Sequence, residues 1–216
     1  MKNSSNKNPV EQTIHSYNMM AEEYCKITSQ KGDRDFQEKM MDITFNYIRH
    51  NKEGLPRLID LGCGDGRDSY YIYSKGFDVV GIDLSRSMIE LAREKYPKIA
   101  FFKEDMRDTV FPDNTFHAAW ASSSIINMPK SDLSKIESEV YRILEPDGIF
   151  AFSVKIGNKE GFEDGDIIKD YPRYFSYYTL SELKDRLNLF EVIDSKEYPG
   201  ELFESEFLYC WAKKTR

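Results

Sequence analysis

Asp60-Leu61-Gly62-Cys63-Gly64-Asp65-Gly66-Arg67-Asp68 carries the strongest chemical signal in the chain. Glycine is needed wherever a backbone takes positive φ or must approach a ligand with no Cβ in the way, and this short stretch holds three of them. Leu58–Leu61 reads as a buried strand and Asp68 onward as a helix. The turn therefore lies at a strand-to-helix junction, where open parallel sheets hold nucleotides. About 20 residues further on, Asp83 ends a second apolar run, Val79-Val80-Gly81-Ile82. A carboxylate there can accept hydrogen bonds from both hydroxyls of a ribose, at ~1.5–3 kcal/mol for each charge-assisted bond. Capping of the helix that starts near Ser85 is a second role for Asp83, compatible with the first.

Two details separate this turn from a dinucleotide site. The dinucleotide fingerprint is G-x-G-x-x-G. Here the third position is Arg67, and the glycine falls one place early at Gly66. Asp60, just ahead of the turn, would repel a pyrophosphate but attract an ammonium or sulfonium group. A third acid, Asp105, follows the third apolar run and can accept a hydrogen bond from an adenine amino group. Acids after strands one, two and three suit a phosphate-free nucleoside with a cationic tail. A nicotinamide-dependent oxidoreductase remains the alternative from this stretch alone.

These residues need a rigid frame, and the flanking pattern supplies one. Short apolar runs at Arg57–Leu61, Asp78–Ile82, Ala100–Phe102, Phe116–Ala121 and Gly148–Val154 alternate with helical periodicity at Asp68–Lys75, Ser85–Tyr96 and Ser131–Leu144. That alternation predicts a parallel sheet covered on both faces. Upstream, an interrupted helical pattern over Val10–Ser29 precedes a second helix over Asp33–Asn51. Downstream, Leu180–Leu189 reads as a helix. Phe190–Asp194 and Phe203–Ala212 read as strands joined by a turn at Pro199-Gly200, antiparallel at one sheet edge. Gly157–Tyr178 is rich in aromatics and follows the fifth strand, where such sheets place their ligands, so it reads as a substrate cap.

Composition narrows the class. The chain has 216 residues and a net charge of −7, so as a whole it repels a phosphate backbone, and no nucleic-acid partner is expected. Its 40% hydrophobic and 31% charged residues suit a globular protein. No apolar run approaches the ~18 residues that span a bilayer, so no membrane partner is expected. Three widely spaced cysteines, Cys25, Cys63 and Cys210, predict neither a disulfide framework nor a metal site, and point to a reducing cytoplasm.

The constellation resembles the class I S-adenosylmethionine-dependent methyltransferases. Asp60–Gly66 is similar to their first motif, Asp83 to the ribose acid, and Asp105-Met106 to the adenine site. His117–Ser122 is similar to the fourth motif, and Arg142–Gly148 to the turn before strand five. Tyr17–Tyr24 resembles the "YDxxAxxY" entry of many small-molecule members. The resemblance implies a Rossmann-like, doubly wound α/β fold. Its seven-stranded mixed sheet has the last strand antiparallel and helices on both faces, and an N-terminal helical lid covers it. Residues 1–52 would form the lid and 53–216 the methyltransferase domain, with 156–178 as the cap insertion.

The resemblance also assigns roles. The Gly62 and Gly64 backbone, with Cys63 between them, would cradle the methionine and ribose portion. Asp60 would hold the amino group, and Arg67 the methionine carboxylate. Leu84 and Met106 would sandwich the adenine, with Ser85 beside them. The Ala121 carbonyl would face the amino group, with Ser122 next to it, and Tyr17 would close over the cofactor.

A methyl group on a sulfonium is already activated, so in-line placement of an O, N or S nucleophile supplies most of the rate, and a base matters only for a weakly acidic acceptor. His15, two residues before Tyr17, is one candidate base. His117 and His50 read as structural or remote. Asn127 stands where many relatives carry histidine. Lys155, at the ligand-facing end of strand five, is the other catalytic candidate and also a partner for an anionic acceptor. Arg173 has a similar claim, and Tyr174 and Tyr177 are further substrate candidates. The sequence lacks an Asn/Asp-Pro-Pro-Tyr motif, a Pro-Cys pair and a basic aromatic cluster, so the expected acceptor is a small molecule, met by a monomer or homodimer. RNA or protein methylation and a non-catalytic cofactor-binding role remain alternatives.

Overall fold

The computed structural model describes residues 8–30, 34–48, 54–164, 168–199 and 206–215. The predicted strands β1 (Arg57–Leu61), β2 (Asp78–Asp83), β3 (Ala100–Lys103), β4 (Phe116–Ala121) and β5 (Leu144–Ile156) form a parallel run in the order β3-β2-β1-β4-β5. β8 (Phe190–Tyr198) and β9 (Phe207–Lys214) complete it. β9 is antiparallel to both β5 and β8. These seven strands make the expected mixed core with helices on both faces, and two further strands after β5 extend the sheet to nine. The strands are long apolar runs because both their faces are buried: Leu58, Ile59, Leu61, Ala118, Ala119, Phe150 and Ala151 have no or almost no exposed surface.

The sheet order reverses between β1 and β4, leaving a crevice at the carboxyl ends of these two strands. Helices α3 (Arg67–Ser74), α4 (Arg86–Lys95) and α5 (Leu133–Ile143) connect the parallel strands, and α6 (Leu180–Arg186) precedes β8. The Ser85 hydroxyl caps α4 by accepting from the Met88 amide at 3.3 Å. Two 3-10 turns, Ile125–Asn127 and Lys130–Asp132, follow β4.

The two N-terminal helices have different jobs. In α2 (Arg34–Tyr47), Met40, Met41 and Thr44 are buried in the main core, and the Thr44 hydroxyl accepts from the Trp211 indole at 2.8 Å. By contrast, α1 (Pro9–Gln30) lies across the crevice and packs on α4 and on β7 (Arg173–Tyr178). It is one unbroken helix. The polar residues that interrupt its apolar pattern are docking groups: Asn18 Oδ1 accepts from the Ser85 hydroxyl at 2.8 Å and the Ser87 amide at 3.1 Å. The Ser16 hydroxyl donates to the Pro172 carbonyl at 2.7 Å, and the Thr13 hydroxyl accepts from the Tyr174 amide at 2.9 Å.

The segment after β5 forms a hairpin, β6 (Glu160–Glu163) with β7, and β7 pairs with the tip of β5. β5 itself starts before the predicted turn at Pro146-Asp147-Gly148. An irregularity in its pairing with β4, with Asp147 at φ 65°, absorbs that turn inside the strand. His50 and Gly200 lie outside the described residues. Cys25, Cys63 and Cys210 are buried free thiols. Among the described residues no helix is long and apolar enough to cross a membrane.

Candidate active site

The crevice is a cavity walled by the turns after β1, β2, β3 and β4 and roofed by α1 and the start of α2. Its floor is the glycine turn. Gly62 has φ 75°, and a Cβ built on it would come within 2.3 Å of the Ser124 Cβ, so only glycine lets the turns after β1 and β4 meet. Gly64 has φ 53° and lines the cavity, and a Cβ there would touch no protein atom within 4 Å. Here glycine keeps open a space that a ligand can fill.

Five acidic residues line this space, Asp60, Asp65, Asp68, Asp83 and Glu104, and Asp65 is paired with Arg67 and Lys95. Asp60 is 2% exposed and accepts from the Ser69 hydroxyl at 2.6 Å. Burial, with Asp68 close by, pushes its pKa well above the usual carboxylate range. Asp83 accepts from the Gly64 amide at 3.0 Å and the Ser85 amide at 2.7 Å. Burial raises its pKa too, and these backbone bonds offset only part of the rise. Among the described residues neither Asp60 nor Asp83 pairs with a cation. Asp68 does: Arg34 donates to it, and the Trp120 indole donates to its other oxygen at 2.8 Å. The Ser124 hydroxyl, also on the cavity wall, is a buried oxygen with no partner. The arrangement is an anionic pocket with an open backbone cradle and unused hydrogen-bonding capacity. It favours a cationic, hydroxyl-bearing ligand and disfavours phosphates.

Residues 58–148 match the methyltransferase domain family. The match takes in less than half of the chain. A putative methyltransferase of Bacillus subtilis, YqeM, is 38% identical over 103 residues, which span 45% of this chain and 42% of the relative. The phosphoethanolamine N-methyltransferase of Plasmodium falciparum is 27% identical over 170 residues, spanning 73% of this chain and 63% of the relative. In both cases the match covers less than two thirds of the relative's length. Among solved structures, the Burkholderia thailandensis 1,6-didemethyltoxoflavin-N1-methyltransferase, with S-adenosylhomocysteine bound, superposes with a TM-score of 0.71. That match is 20% identical and covers all of this chain and 94% of the other.

Most of the expected cofactor residues meet at the cavity: Tyr17, Asp60, Gly62, Cys63, Gly64, Arg67, Asp83, Leu84, Ser85, Met106 and Ser122 line it. Two do not. Asp105 turns its carboxylate to Arg107, at 2.6 Å, and its neighbour Glu104 reaches the wall instead. An Asx turn explains this, because Asp105 Oδ1 also accepts the Arg107 amide at 2.9 Å. Ala121 is fully buried within β4, and Ser122, Ser123 and Ser124 carry on into the cavity. Arg67 lines the wall with two of its nitrogens engaged. Nε donates to Asp65, and Nη1 donates to the Thr28 carbonyl near the end of α1, both at 3.0 Å.

The acceptor-side candidates divide more sharply. His15 is exposed on α1 and does not line the cavity. His117 accepts from the Arg57 amide at 3.2 Å, at the start of β1 and so at the opposite end of the sheet. Lys155 is buried against Phe175 and Tyr177, its ammonium 4.2 and 5.5 Å from the ring centres. Tyr177 donates to Glu163 at 2.7 Å. The Tyr174 phenol is pushed up to about 12 by burial and Glu160. Neither tyrosine, nor Lys155, is on the cavity wall. Tyr17 is: it donates to Asn127 Oδ1 and accepts from Arg173, both at 3.0 Å, while Asn127 Nδ2 donates to the Tyr174 carbonyl at 2.8 Å. Tyr24, Arg34, Asp68, Ser124 and Asn127 were not predicted as site residues. Of these, Tyr24 carried a signal, lying two helical turns from Tyr17 on the same helix face.

Proposed function

We propose that the protein transfers a methyl group from S-adenosylmethionine to a small-molecule acceptor. The observation that carries this reading is the pair Asp60 and Asp83, two carboxylates without cationic partners at one cavity, beside a glycine whose missing Cβ leaves room for a ligand. The residues fit the cofactor. Asp83 has oxygen lone pairs left for ribose hydroxyls, Gly64 leaves space for the sugar, Leu84 and Met106 offer apolar surface for adenine, and Asp60 offers negative charge to the amino and sulfonium groups. The bound cofactor supplies a methyl carbon on a sulfonium, open to attack by an O, N or S nucleophile.

The chain's own contribution is binding, orientation and exclusion of water. α1 closes the roof through Tyr17–Asn127 and Asn18–Ser85. No histidine lines the cavity among the described residues, so an acceptor that reacts without a strong base is the better fit. A small acceptor agrees with the enclosed roof and with the net charge of −7, which opposes RNA. The chain's likeness to a phosphoethanolamine and a 1,6-didemethyltoxoflavin methyltransferase, both named for small acceptors, supports it as well. Calorimetry with S-adenosylmethionine and with NAD tests the reading. Saturable heat with the first alone is expected, and heat with NAD alone rejects it.

A further inference from the structure

We propose that Arg173 recognises an anionic group, a carboxylate or a phosphate, on the methyl acceptor. This rests on the methyl-transfer reading and names the acceptor's chemical class. Arg173 opens β7 and is 4% exposed. Its guanidinium sits over three rings, 5.2 Å from the centre of Tyr17, 5.6 Å from Tyr24 and 5.1 Å from Phe175. Nη1 donates to the Tyr17 hydroxyl, while Nε is buried with no hydrogen-bond partner. Among the described residues no carboxylate lies within ion-pair distance of it.

Several other buried charges are paired. Asp65 has Arg67 and Lys95, Lys130 has Glu182, and Glu139 has Arg142. A buried cation with no counter-ion is costly, and ring faces do not supply the hydrogen-bond acceptor that its Nε lacks. An unsatisfied buried donor in a native structure calls for an explanation, and a missing anionic ligand supplies one.

Its location fits. Tyr17 and Tyr24, on which the guanidinium rests, both line the cavity, as does Asn127, which shares the Tyr17 hydroxyl. Ser124, the other unpartnered donor of this wall, stands in the same post-β4 turn as Asn127. The cavity's acids Asp60, Asp65, Asp68, Asp83 and Glu104 all come from the turns after β1, β2 and β3 and the start of α3, so an anion is repelled from that side and drawn to the α1 wall, where Arg173 of β7 stands behind Tyr17 and Tyr24. There the unpartnered Nε has an ionised acceptor to donate to, and Nη1 can add the second bond of a bidentate pair.

The test uses the full chain saturated with S-adenosylhomocysteine. Arginine Nε is labelled with nitrogen-15, and the Arg173 Nε–H resonance is identified by its loss in Arg173→Lys. Benzoate, phenyl phosphate and neutral benzamide are titrated as probes. A saturable shift of that resonance with benzoate or phenyl phosphate, and none with benzamide, is expected. Which anion acts names the source as carboxylate or phosphate. Arg173→Lys is expected to weaken the anion at least tenfold and to leave S-adenosylhomocysteine affinity within twofold. No response to either anion, an equal response to benzamide, or unchanged anion affinity in the variant overturns the proposal. If the variant does not fold, the resonance is identified by its nuclear Overhauser contacts to the Tyr17 and Phe175 ring protons, and the wild-type titration decides the matter. Failure of S-adenosylhomocysteine to bind the wild type overturns the methyl-transfer reading instead.

Discussion

On the β1–β2 side of the cavity, contacts are short-range and run through the backbone: Gly62 and Cys63 amides to the Ile82 carbonyl, and Gly64 and Ser85 amides to Asp83. On the α1–β7 side, contacts run between side chains far apart in sequence, as in Tyr17 to Asn127 and Arg173 to Tyr17. The first wall has few ways to change without losing the turn itself, so it suits one unvarying ligand. The second can be rebuilt residue by residue, which is what divergent acceptors require.

Substitutions can break this contrast. Gly62→Val is expected to have the largest effect. It adds left-handed strain of ~1–2 kcal/mol to a collision with Ser124 of ~1–3 kcal/mol, so thermal unfolding should show a loss of about 3 kcal/mol together with loss of cofactor binding. Asp83→Ala should weaken S-adenosylmethionine at least ~tenfold by calorimetry while the fold persists, since charge-assisted bonds of ~1.5–3 kcal/mol are lost. Unchanged affinity would show that the ribose does not sit there.

Asp60→Asn sharpens the comparison through charge. The variant should lose part of the preference for cationic S-adenosylmethionine over neutral S-adenosylhomocysteine, measured as the ratio of their Kd values. It should also change the pH dependence of stability. Asp60 is raised in the folded state, so the folded protein holds more protons than the unfolded chain between the ordinary carboxylate range near ~4 and the raised value. Stability attributable to Asp60 therefore falls as pH rises through that window, and the asparagine variant should flatten the decline seen in urea melts across pH. Tyr17→Phe tests the other wall and is the smallest of these effects. Removing one hydroxyl shared by two partners should cost ~1 kcal/mol, seen as faster amide exchange in α1, with cofactor affinity changed by less than ~threefold.

The same contrast sets what could be read from sequence. β1, β2 and β4 were legible because strands buried on both faces must be apolar throughout, and the glycine turn because its backbone tolerates little else. α1 looked broken because Ser16 and Asn18 spend their polarity on Pro172, Ser85 and Ser87, partners that sequence does not reveal. β6 was missed because Glu160–Glu163 is polar and only partly buried. That the Asp105 carboxylate turns away from the cavity and Glu104 lines it was not legible, because it depends on an Asx turn closed by Arg107. Arg173 was legible as a candidate from its place in the aromatic segment. That its Nε lacks a partner was visible only once α1 and β7 had been brought together.

Ser85 joins three functions at one residue. Its amide steadies Asp83, its hydroxyl caps α4, and the same hydroxyl grips Asn18 of α1. A chimera that borrows its first thirty residues from a relative to change acceptor choice must therefore keep an acceptor side chain at position 18, or the transplanted roof comes loose from the strand tip it is meant to cover.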